Sequence, residues 1–142
     1  DDALSMTNAS SGRTVSAAVV MFERAMLDRG LPPLRDIGAS LTVYPHCHST
    51  ALGAGPEARQ LISQIPGTRV TDGGIGCCGM AGSFGYLHAD ASGIIAARRF
   101  DAGMTERRLI VASGSSCRQQ FAALGQTRVA HPAVAIAAAL ET

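Results

Sequence analysis

The sequence has no lysine: all 12 of its basic residues are arginine, set against 11 acidic residues. With charge nearly balanced and no run of one sign, neither a polyanion groove nor an anionic membrane surface is an expected target, and nucleic acid is not an expected partner. The missing lysine, together with abundant alanine, reads as genome composition and carries no functional weight. No stretch of eighteen apolar residues occurs, so no transmembrane segment is expected. The opening Asp1-Asp2-Ala3-Leu4 lacks the basic-then-apolar pattern of a signal peptide. A cytoplasmic protein is therefore expected, peripheral to a membrane only through partners. There is no internal repeat and no low-complexity linker. The 142 residues, 46% of them hydrophobic, suit one domain around a single core.

What the chain does have is four cysteines, Cys47, Cys77, Cys78 and Cys117. In a reducing compartment structural disulfides do not persist, and adjacent cysteines such as Cys77 and Cys78 rarely bridge each other, so a metal or redox role is the leading reading. The bland reading, cysteine as a small buried hydrophobe, suits one isolated residue better than four flanked by Gly, Ser or His.

Residues 1–13 are small and polar, a frayed lead-in. From Thr14, a possible N-cap, the apolar residues Val15, Ala18, Val19, Phe22, Ala25 and Met26 recur at helical spacing, with Gly30 and Pro32-Pro33 as the stop. Leu41 to Tyr44 reads as a buried strand followed by the loop His46-Cys47-His48-Ser49, and Pro56 to Ile65 as a helix closed by Pro66-Gly67. A second strand, Thr68 to Thr71, runs into the glycine-rich turn Gly73 to Gly79. Ala89 to Phe100 is helical despite Gly93. A third strand at Arg108 to Ala112 leads into the loop Ser113 to Cys117 and a helix through Leu124. A short strand at Arg128 to Ala130 and a helix from Pro132 to Leu140 complete the chain. Alternating strands and helices predict an α/β fold, a parallel sheet of about four strands flanked by helices. In such sheets the loops beyond the carboxyl ends of the strands line one crevice, and all four cysteines fall just past predicted strand ends.

Four thiolates suit a cubane iron–sulfur cluster or a tetrahedral zinc. Around them Gly76, Gly79, Gly82, Ser113 and Gly114 would let the backbone approach a bulky group and turn N–H donors toward sulfur. Neither a C-x-x-C knuckle nor a ferredoxin run is present. His46 and His48 flank Cys47, and one of them, His48 being the candidate ligand, could complete a zinc with three sulfurs. At most one of the two is expected to join. Hydrogen-bonded loop histidines are the plainer reading, and His88 and His131 have weaker claims still. Gly74-x-Gly76-x-x-Gly79 matches the dinucleotide fingerprint, but its variable positions are cysteines and no acid-ended strand follows. Ala81-Gly82-Ser83-Phe84-Gly85, with Asp101 and His131 downstream, is a loose relative of a hydrolase nucleophile elbow in a chain too short for that fold.

The segments Tyr44-Pro45-His46-Cys47-His48, Gly76 to Tyr86 (GCCGMAGSFGY) and Ser113 to Gln120 (SGSSCRQQ) together resemble the cysteine-rich CCG domain family. That family includes the iron–sulfur subunit of glycolate oxidase, a subunit of heterodisulfide reductase, and fused FAD-binding, iron–sulfur-binding oxidoreductases. The resemblance is closest to the C-terminal part of the fused enzymes, where a helix like Val15 to Met26 precedes the first cysteine and a His-Pro like His131-Pro132 opens the last helix. It covers about residues 14 to 140 and implies a Rossmann-like CCG domain over 14–142. It implies an electron-transfer domain or subunit of a FAD-linked 2-hydroxy-acid dehydrogenase, with an iron–sulfur cluster, 4Fe-4S as the first choice, on Cys47, Cys77, Cys78 and Cys117. The implied partners are a flavin-containing dehydrogenase domain or subunit, which alone would carry FAD, and a ferredoxin-like iron–sulfur domain. By itself the chain is not expected to turn over substrate. The family motif ends in C-x-x-C, whereas Gly114 stands three before Cys117; the absent fifth sulfur counts against the noncubane cluster of heterodisulfide reductase. The alternative is a zinc-stabilised or metal-free docking domain without redox activity.

Overall fold

The computed structural model describes residues 20–100, 108–126 and 128–140. The lead-in over 1–13, the Thr14 start of the first helix and Asp101 lie outside the described residues. Four strands, β1 (Ser40–Tyr44), β2 (Arg69–Asp72), β3 (Leu109–Ala112) and β4 (Val129–Ala130), form one sheet in the order β2-β1-β3-β4. Every neighbouring pair is parallel. Tyr44 pairs with Ala112 and Thr42 with Ile110, which puts the carboxyl ends of β1 and β3 level.

The two central strands are apolar on both faces because both faces are covered. Leu41, Val43 and Val111 point into one core with Leu61, Ile62, Ile65 and Ile136. Those partners belong to α3 (Glu57–Ile62), the turn after it and α7 (Pro132–Ala138), with α1 (Phe22–Arg29) packed alongside through Phe22 and Met26. The alternate residues Tyr44, Ile110 and Ala112 point into a second core with Ala96, Phe100, Cys117 and Phe121. This second layer is built by α5 (Ala89–Arg99) and α6 (Ser115–Ala123). Its centre is aromatic: Phe121 lies 4.1 Å from Phe100 and 4.9 Å from Tyr44, ring centroid to ring centroid. Helices on both faces of a parallel sheet define the expected α/β architecture.

Two short helices depart from the sequence-based expectation, α2 (Cys47–Ala51) and α4 (Phe84–Leu87). The segment after β1 is therefore not a loop: the N–H of Thr50 donates to the His46 carbonyl and closes a helical turn at once. The loop expected up to Cys117 is likewise shorter, since α6 begins at Ser115 with Gly114 as its N-cap. Elsewhere the element ends differ from expectation by a few residues. Gly30 ends α1 at φ 77°, and Arg24 of α1 is clamped to the buried Glu57 of α3 by a 2.6 Å ion pair.

Candidate functional site

The chain leaves β1 toward β2 on one side and reaches β3 on the other, so β1 and β3 flank the point where the winding reverses. Loops leaving two such strands diverge and open a crevice at their carboxyl ends. Cys47 follows β1 and opens α2; Cys117 follows β3 in the first turn of α6; Cys77 and Cys78 lie in the turn after β2.

Cys78 and Cys117 meet. Both are buried, and the Cys117 thiol donates to the Cys78 sulfur, the main reason the Cys78 thiol drops from its ordinary value of 9.0 to about 6. Burial opposes this, while the Met80 N–H and the positive charge of Arg99 assist it. The same hydrogen bond, then burial and the Cys78 charge, push the Cys117 thiol up. The pair thus gives up its first proton easily and its second with great difficulty. Cys47 is near enough for its charge to act on Cys117. Cys77 stands apart: it is exposed, and its sulfur accepts the Gly79 N–H at 3.3 Å. Three loops therefore deliver thiols to one edge of the sheet. Among the described residues, however, no three His, Cys, Asp or Glu side chains stand as a ready-made metal cage.

The segment carrying His46 and His48 is not extended throughout, since α2 begins at Cys47 with His46 as its N-cap. The two rings lie parallel, 6.1 Å apart with 4° between their planes. His48 is exposed. His46 is partly buried, and its pKa is lowered by that burial and by the nearby charges of His48 and Arg99.

Of the four glycines singled out, three sit against protein groups at the site. A Cβ on Gly114 would run into the His46 ring, one on Gly76 would touch the Arg99 stem at 3.5 Å, and one on Gly79 would fall 2.5 Å from the Ser92 carbonyl oxygen. Gly82 faces open space. The dinucleotide fingerprint does not become a phosphate site, because no helix opens at Gly79; the next begins at Phe84.

Two residues escaped sequence reasoning. Glu23 is buried in α1, where its carboxylate accepts from the Ser113 hydroxyl and lies close enough to raise the pKa of both His46 and His131 against the burial that lowers them. Arg99 closes α5. One of its terminal nitrogens donates to the Pro45 carbonyl at 2.6 Å, its guanidinium carbon lies 5.7 Å from the Tyr44 ring centre and 5.6 Å from that of Phe100, and its Nε and Nη1 are buried without a hydrogen-bond partner among the described residues. Nearby, a crevice of about 390 Å³ opens between β1, β2 and α3, walled by Val43, Pro45, Thr50, Arg59 and the exposed Ile75.

Soft sulfur donors from three loops, with buried cationic N–H groups beside them, suit a soft and anionic group such as an iron–sulfur cluster better than a hard oxygen-seeking cation. Fold and site together define a parallel α/β domain with thiols gathered where the winding reverses. The chain is 33% identical over 104 residues to D-2-hydroxyglutarate dehydrogenase of Escherichia coli (strain K12), a match covering 70% of this chain and 10% of that protein. It is 28% identical over 120 residues to a subunit of the anaerobic glycerol-3-phosphate dehydrogenase of the same strain, covering 80% of this chain and 30% of that protein. The chain thus spans only a small part of the dehydrogenase proteins it matches. No family model and no solved structure matches it. No helix among the described residues is long and apolar enough to cross a membrane.

Proposed function

We propose that this chain is the electron-transfer portion of a FAD-linked 2-hydroxy-acid dehydrogenase, with Cys47, Cys77, Cys78 and Cys117 holding an iron–sulfur cluster. The observation that carries the reading is the contact of Cys78 with Cys117, from the turns after β2 and β3, with Cys47 beside them. The similarity to segments of two dehydrogenase proteins supports it. A bound cluster supplies one-electron redox change that thiols and imidazoles alone lack.

The chain's own residues account for the rest of the site. Cys78 and Cys117 keep two sulfurs in the dry second core, where their shared proton leaves when a metal binds. Cys77, at the surface with its sulfur accepting the Gly79 N–H, would be the further ligand beside Cys47. Gly76, Gly79 and Gly114 leave room for the Arg99 stem, the Ser92 carbonyl and the His46 ring, which lets the cysteine turns pack closely. The Tyr44, Phe100 and Phe121 rings exclude water from its inner side. Flavin belongs to a partner domain or subunit, and a ferredoxin-like domain would pass the electron on.

Anaerobic reconstitution followed by iron, sulfide and zinc analysis tests this. Iron and sulfide taken up together, and lost in Cys78→Ser, is the expected result. Zinc at one equivalent with no redox-active absorbance, or no metal at all, overturns it and leaves a docking domain.

A further inference from the structure

Arg99 carries chemistry that the fold does not use. A guanidinium has five N–H donors and cannot shed its charge inside a protein. Here a single hydrogen bond to protein is made, from Nη2 to the Pro45 carbonyl, while Nε and Nη1 are buried without a partner among the described residues. The Tyr44 and Phe100 rings attract the cation, but a ring face does not replace an acceptor for a buried charged donor.

Its surroundings say what acceptor is wanted. Pro45 precedes His46-Cys47, so this bond ties Arg99 to the first cysteine turn. Its aliphatic stem lies against Gly76, immediately before Cys77-Cys78, where a Cβ would already be in contact. Its charge reaches Cys78 and Cys117, the thiols of the second and third turns. Among the described residues, no Asp or Glu forms an ion pair with it. One guanidinium thus stands among three thiol-bearing turns with donors to spare.

We infer that Arg99 is a positioning residue for the anionic sulfur group held by these turns, offering its free Nε and Nη1 N–H groups and its fixed positive charge to that group. This rests on the iron–sulfur reading above. N–H donors and positive charge near a cluster favour its reduced, more negative form, so Arg99 raises the reduction potential as well as retention.

The test compares Arg99→Met, Arg99→Lys and, as a control for bulk charge, Arg98→Met in the exposed neighbour, each reconstituted anaerobically beside the unaltered chain. Iron and sulfide retention under a chelator and the midpoint potential are read for each. Arg99→Met is expected to weaken retention about 10-fold or more, the usual effect of removing a group that supports metal ligands, and to lower the potential. Arg99→Lys keeps the charge and loses the planar fork, so retention falls while the potential moves less. Arg98→Met leaves both unchanged. Should Arg99→Met fail to fold, Arg99→Lys alone decides by its retention. A loaded chain whose Arg99 variants match it in retention and potential overturns this inference alone, the free donors then being served by water. An unaltered chain that takes up no iron and sulfide overturns the proposed function and this inference with it.

Discussion

Gly79→Ala isolates one packing constraint beneath the site. Gly79 has φ 89°, and its Cα faces the backbone of α5, so that a Cβ would sit 2.5 Å from the Ser92 carbonyl oxygen and 3.0 Å from its hydroxyl. The left-handed backbone costs a non-glycine residue about 1–2 kcal/mol. Pushing buried backbone aside to admit the methyl costs about 1–3 kcal/mol more, for a total of about 2–5 kcal/mol. At a urea slope of about 2 kcal/mol per M, the unfolding midpoint falls by about 1–2.5 M. Gly82→Ala supplies the control, since Gly82 also has positive φ, 63°, but nothing within 4 Å of its Cβ position. It carries only the backbone part, about 1–2 kcal/mol. The damage at Gly79 also spreads toward the thiols, because Ser92 is held by the Gln120 amide at 3.3 Å and Gln120 lies one helical turn beyond Cys117. Urea unfolding of the two variants, with iron retention measured on the same preparations, checks the reasoning. Equal losses of stability in both would refute the close contact at Ser92.

Thiol labelling of the metal-free chain should be ordered by burial and not by acidity: Cys77 reacts first, Cys47 second, and Cys78 and Cys117 only on unfolding, although Cys78 holds the more acidic thiol. Mass spectrometry after brief alkylation reads this order, and early modification of Cys117 would contradict the packing. His131 caps α7 by accepting the Ala133 N–H on Nδ1 at 3.1 Å, and burial, aided by the Arg118 charge and opposed by Glu23, lowers its pKa below the ordinary 6.5. The folded state then binds fewer protons than the unfolded one, so stability is full above 6.5 and is lost as pH falls through the folded value. His131→Asn keeps a capping acceptor without that titration, and melting curves between about pH 7.5 and 5 should show a shallower acid loss in the variant, with the remaining slope due in part to His46, which is shifted the same way.

Much of the frame was legible. β1 and β3 declare themselves by apolar runs, and the double-sided burial of Leu41 to Tyr44 is what a central parallel strand requires. The order of elements then predicts that cysteines far apart in sequence meet beyond the strand ends, and Cys78 and Cys117 do. The local form of the cysteine segments was not legible. Cys47-His48-Ser49-Thr50-Ala51 has weak helix formers and an N-cap, His46, whose side chain makes no capping bond, so nothing in it announces a helix. Ser113-Gly114-Ser115-Ser116 likewise reads as loop, and only the packing of Phe121 and Cys117 into the second core draws Ser115 and Ser116 into α6. Arg99 reads from sequence as an ordinary basic residue in the last turn of a helix. What distinguishes it, a bond to the carbonyl of a residue 54 positions earlier, exists only once β1 and α5 are packed.

The adjacent cysteines show how these levels join. Two consecutive residues in a regular strand point to opposite faces, and here four cysteines sit on only three turns. Here Gly76 and Gly79, both at positive φ, bracket the pair, and the turn they allow sends Cys78 into the core against Cys117 while Cys77 stays at the surface, hydrogen-bonded to Gly79. The inner sulfur is fixed by packing; the outer one is held by a single N–H···S contact that is weak and local. The turn after β2 thus presents one buried sulfur and one exposed sulfur. On the proposed reading, a soft anionic group would be held by the buried pair, near the positive charge of Arg99, and Cys77 would add its sulfur from the surface.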